Sequence, residues 1–98
     1  MKSITLHPAA RAEALAVAEY YDTCCPGLGR EFTDSIERAL AGISARPQSF
    51  GVYESTGARR CVRQRFPYSI FFLEREEGVW VLAVAHAARK PGYWEDRI

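Results

Sequence analysis

The stretch AVAHAARKPGYWEDRI, residues 83–98, brings His86, Arg89, Lys90, Tyr93, Trp94 and Arg97 close together in sequence. A histidine with an unperturbed pKa near ~6.5 is a natural proton carrier at neutral pH. Arginine cannot act as a base, but its planar fork matches phosphate oxygens. Four arginines upstream, Arg59, Arg60, Arg63 and Arg65, lie in a run from Gly57 to Ile70 without a single acid. If this run is a strand in an antiparallel sheet, alternation puts Arg59, Arg63 and Arg65 on one face. The candidate constellation is therefore His86, Arg89, Tyr93, Arg63 and Arg65. Its chemistry would be attack of a 2′-hydroxyl on a neighbouring phosphate, with His86 moving the proton and the arginines holding the developing charge. One well-placed donor of that kind contributes about 2.7–4 kcal/mol to the transition state. Tyr93 could stack on a base or assist the proton transfer. The same residues also fit a quieter role: His86 holding a turn, and Tyr93 with Trp94 stapling the segment to a core.

Other chemistries lack their residues. The sequence has no strand–GxGxxG–helix unit, no phosphate loop ending in Lys-Ser/Thr, and no His/Cys spacing for a metal. No cofactor or metal is expected. Cys24, Cys25 and Cys61 are odd in number and two are adjacent, which suits a reducing compartment better than a disulfide framework. The longest apolar runs are far shorter than the roughly 20 residues of a membrane span, and MKSITLHPAARAEA does not read as a secretory signal. A cytoplasmic protein is expected.

The elements that must position these groups follow from periodicity. At 98 residues, 48% hydrophobic and 26% charged, the chain suits one globular domain, residues 1–98. Lys2 to Leu6 alternates as a short strand. Pro8 suits the first position of a helix running over Ala9 to about Thr23, and CPGLG at 25–29 is a turn. Leu28, Phe32, Ile36, Leu40 and Ile43 mark one face of a second helix, which Pro47 stops. Arg30–Asp34 and Asp34–Arg38 are i,i+4 pairs on another face. Residues 47–58 form a loop, followed by strands over Arg59–Arg65, Tyr68–Arg75 and Val79–His86. This order predicts an α+β fold: an N-terminal strand and a helical hairpin packed on a small, mostly antiparallel sheet.

Simple alternation puts Tyr68, Ile70 and Phe72 opposite Phe71 and Leu73. It puts Val79, Val81, Ala83 and Ala85 opposite Trp80, Leu82, Val84 and His86. Both strands are thus apolar on both faces, as in a sheet covered twice. Either the 47–58 loop and the C-terminal segment close the second face, or a partner covers part of it.

The last 40 residues resemble the RelE/ParE toxins of bacterial type II toxin–antitoxin systems, of the plasmid-stabilisation type. The shared pieces are Arg60, the Phe66-Pro67-Tyr68 strand start, the apolar hairpin, and His86-x-x-Arg89-x-Pro91-x-Tyr93-Trp94. The resemblance implies a growth-arresting toxin neutralised by an acidic antitoxin that a neighbouring gene encodes. For activity it implies one of two things: ribosome-dependent cleavage of mRNA without a metal, or inhibition of DNA gyrase without catalysis. A degenerate member that only binds its antitoxin is the alternative. On the nuclease branch Arg89 and Tyr93 match the terminal site residues, with Arg63 and Arg65 standing in for the strand cations. That branch also implies an arginine after the tyrosine that opens the next strand, where this chain has Ser69.

Overall fold

The computed structural model describes residues 2–54, 56–62 and 65–98. Strand β1 (Ile4–Leu6) leads into helix α1 (Pro8–Cys24), and a tight turn connects α1 to helix α2 (Leu28–Ala45). Strands β2 (Arg59–Val62), β3 (Tyr68–Arg75) and β4 (Gly78–His86) follow, with one-turn 3-10 helices at Pro47–Ser49 and Glu95–Arg97. The sheet order is β1-β4-β3-β2, with β1 parallel to β4 and the other neighbours antiparallel. The expected α+β layout is therefore the one observed.

Local chemistry explains the hairpin of helices. Pro8 occupies the first turn of α1, and the His7 imidazole Nδ1 accepts the Ala9 N–H at 3.0 Å. At the turn the Asp22 carboxylate accepts the N–H groups of Gly27 (3.2 Å) and Gly29 (2.9 Å), so α1 supplies the negative cap that α2 needs. Gly27 takes φ +90, which favours glycine. Gly29 is required for a different reason. A Cβ there would lie 2.2 Å from the Ala18 carbonyl oxygen, so the two helices can approach only over a bare Cα.

On α2, Phe32, Ile36 and Ile43 are buried, and Leu28 and Leu40 pack at the margin of the same core. That core also holds Ala10, Cys61, Phe66, Tyr68, Ile70, Phe72, Val79, Val81 and Val84, so it fills the space between the helices and one sheet face. Each large side chain buried there contributes about 1.5–3 kcal/mol. Of the two expected pairs, Arg30–Asp34 forms at 3.2 Å; among the described residues Asp34 makes no ion pair with Arg38.

The second face has its own cluster: Ala58, Phe71, Leu82, Ala83, Ala85 and Trp94, with Tyr53, Leu73, Trp80 and Tyr93 at its edge. Trp94 is 1% exposed and stacks on Phe71 at 4.5 Å, while Tyr53 meets Phe71 edge-on at 5.0 Å. The chain thus covers much of this face itself, with the loop before β2 and the segment after β4.

The faces of β4 differ from simple alternation. Phe71 pairs with Ala83 but Phe72 pairs with Val81, so Leu82 is an extra residue, a β-bulge. Leu82, Ala83 and Ala85 therefore share the second face, whereas Val84 turns to the helix side. His86 follows Val84, and its ring meets Tyr68 edge-on at 5.0 Å. One inserted residue moved the predicted partners of Ala83 and of His86 to opposite sides. Strand β2 is also shorter than expected. Its described part is Arg59–Val62, Arg65 is no longer strand, and the Arg63 and Gln64 positions lie outside the described residues.

Candidate functional site

The segment after β4 is an ordered turn. Ala87 donates its N–H to the Pro67 carbonyl at 2.8 Å, and Arg89 donates its own to the His86 carbonyl at 3.0 Å. His86 Nδ1 accepts the Ala88 N–H at 2.9 Å. These bonds fold 86–94 back beside the outer strands, and a cleft of about 300 Å³ opens between this turn and β2. Val62, Ser69, Phe71 and Ala85 lie along it, and Arg60, Arg89, Lys90 and His86 border it. Among the described residues no carboxylate lines the cleft, and Arg60, Arg89 and Lys90 make no ion pair.

The predicted residues are only partly gathered. His86, Arg89 and Tyr93 share the rim of this cleft. Arg63 lies outside the described residues. Arg65 pairs with Glu31 of α2 and lies 5.0 Å from the Phe66 ring, away from the cleft. Arg59, expected on one face with Arg63 and Arg65, donates from its guanidinium to the Phe50 carbonyl and does not line the cleft. The strand cation at the cleft is Arg60, 5.6 Å from the Tyr53 ring centroid. Its parity matches Val62, so both point to the second face, whereas Cys61 enters the helix-side core.

Tyr93 is held on several sides. The Arg89 guanidinium lies 3.9 Å from its ring centroid and that of Arg97 5.1 Å away. Its hydroxyl donates to Glu13 Oε2 at 2.7 Å. Burial first, then the hydrogen bond and the negative charge of Glu13, push the phenol well above the ordinary tyrosine value, against the opposing pull of Arg89 and Arg97. A phenol in that state neither gives up its proton readily nor serves as a base.

Sequence reasoning missed Glu13. This carboxylate on α1 accepts the Val84 N–H at 3.1 Å and two guanidinium N–H groups of Arg97 at 3.1 and 3.2 Å. Arg97 also donates to the Leu82 carbonyl at 3.0 Å. Strand β1 reaches only as far as Val81, so beyond it β4 has an uncovered edge at the bulge. Glu13 and Arg97 satisfy the backbone groups that β1 leaves. The signal was present: Glu13 falls three residues after buried Ala10 and four before Val17, a charge on the inward stripe of α1.

A helical hairpin on this four-stranded mixed sheet, with a basic cleft at the end of the last strand, is the toxin fold of the RelE/ParE type. Residues 4–91 match the family model described as ParE toxin of type II toxin–antitoxin system, parDE, and the chain belongs to that family. Among solved structures, a chain of the chromosomal ParDE TA system from P. aeruginosa superposes with a TM-score of 0.77. It covers 88% of this chain and 96% of that one at 20% identity, a likeness of fold. Comparison with curated proteins gives no match. Among the described residues no helix is long and apolar enough to cross a membrane.

Proposed function

We propose that this chain is the toxin of a two-gene module that arrests growth by binding DNA gyrase, and that an acidic antitoxin from the adjacent gene neutralises it. The observation that carries this reading is Tyr93. Its hydroxyl is committed to Glu13 and its phenol is pushed up, which leaves Tyr93 poorly placed to assist the proton transfer that strand cleavage would need. Two more features favour surface contact over catalysis. Arg65 is paired with Glu31 rather than presented to a phosphate, and His86 has its Nδ1 engaged by the turn. Ser69 at the cleft replaces the arginine that the nuclease branch implies.

Two assays on the purified chain decide the matter. Gyrase supercoiling should fall with added toxin, and primer extension on translated mRNA should show intact message. Cleaved message that is lost on His86→Ala with Arg89→Ala would establish the nuclease instead. No effect in either assay, with harmless overexpression and retained antitoxin binding, would leave only the degenerate form.

A further inference from the structure

Helix α1 packs against α2 and β4 and turns its remaining side outward. Two of its four charges are engaged within the fold. Glu13 holds Val84, Tyr93 and Arg97, and Asp22 holds the amides of Gly27 and Gly29. The other two, Arg11 and Glu19, are exposed, and among the described residues neither makes an ion pair. Leu15 lies midway between them in sequence and is 60% exposed. This i, i+4, i+8 spacing sets the three side chains in one ridge along the outer face. Neither charge serves its own helix. A cation toward the N-terminus and a carboxylate toward the C-terminus oppose the dipole, and neither has an opposite charge one turn away.

We propose that two copies of this chain associate through the outer face of α1, with the helices antiparallel about a two-fold axis at Leu15. Arg11 and Glu19 stand ~6 Å from Leu15 along the helix axis, in opposite directions. Reversing one helix across the two-fold therefore sets Arg11 level with the partner subunit's Glu19, and the symmetry makes that pair twice. The two Leu15 side chains meet at the centre. Ala12 and Ala16, exposed beside the ridge, do not hold the axes apart, and the antiparallel dipoles attract. An unrelated protein could cover Leu15, but it would not call for opposite charges equally spaced about it. A membrane surface fits less well, because this face sets one cation against one carboxylate and has no excess of positive charge. A single pair of helices falls at the small end of specific interfaces, below roughly 1,200 Å². The dimer is accordingly weak, with a Kd of about 10–100 µM.

The test is sedimentation of the purified full chain at low salt, over concentrations that bracket this Kd. It needs neither gyrase nor antitoxin, so its outcome is independent of the reading above. Wild type should pass from monomer to dimer, less readily as salt rises. Leu15→Asp should stay monomeric throughout. Arg11→Glu or Glu19→Arg alone brings like charges level and should weaken association at least ~10-fold. Combining the two reverses both signs and should restore it. The three residues are exposed, and circular dichroism verifies that each variant keeps its fold. The proposal is overturned if wild type remains monomeric across the range, or if Leu15→Asp or either single reversal associates as tightly as wild type. It is equally overturned if the combined reversal associates no better than the single ones, since a dimer through another surface, or a face meant for a different partner, would not be rescued.

Discussion

Replacing Glu13 by alanine tests the tie between α1, the β4 bulge and the C-terminal segment. The substitution orphans the Val84 N–H and leaves the Arg97 guanidinium, whose side chain is 16% exposed, without its carboxylate. An unsatisfied buried donor costs about 1–3 kcal/mol, and breaking a buried pair costs about 3–5 kcal/mol. Arg97 keeps the Leu82 carbonyl and some solvent contact, so the two losses overlap and the net is set at about 3 kcal/mol. For a domain of this size that lowers Tm by roughly 12–24 °C. Glu13→Gln retains an acceptor for Val84 but not the charge, and should cost about 1–2 kcal/mol. Urea denaturation followed by circular dichroism and tryptophan fluorescence gives the values, and a double-mutant cycle with Arg97→Ala should yield about 1–3 kcal/mol of coupling. A Glu13→Ala protein within about 0.5 kcal/mol of wild type, or zero coupling, would refute the reasoning.

Two further outcomes follow from the geometry. Gly29→Ala should lower stability by at least about 2 kcal/mol, measured by urea midpoint, because its Cβ meets the Ala18 carbonyl and the Asp22 carboxylate rather than a yielding side chain. The raised Tyr93 phenol makes stability depend on alkaline pH: the unfolded chain ionises near ~10 while the folded one holds its proton, so that contribution is complete below ~10 and lost as pH climbs beyond it. Urea midpoints across that range should fall more gently in Tyr93→Phe than in wild type, and parallel slopes would discard the assignment.

Periodicity carried most of the architecture. The stripe from Leu28 to Ile43 has one helical solution, and the doubly apolar β3–β4 hairpin has to sit between two layers. Periodicity failed where a single residue changed the count. The bulge at Leu82 leaves no mark on composition, yet it reverses the faces of Ala83, Val84, Ala85 and His86. Arg65 failed for a related reason: strand parity was extrapolated to a residue that is no longer strand and that answers instead to Glu31. Glu13 was visible as a charge on an inward face, but its partner Arg97 lies 84 positions away in sequence, and one sequence carries no sign of such a pairing. His86, Arg89 and Tyr93 were legible as neighbours because a short turn holds them.

The closure of the β4 edge also has a meaning in time. Glu13 lies in the first helix, but the guanidinium that completes the seal comes from Arg97, 84 positions on and beyond every strand. Until the two distant parts of the chain meet, the folding sheet therefore carries open backbone at the bulge. Long-range contacts of this kind form late, and exposed edges are the points at which other chains can pair. The separation of Glu13 and Arg97 in sequence thus creates an interval during folding in which the domain is nearly complete but not yet sealed against a neighbour.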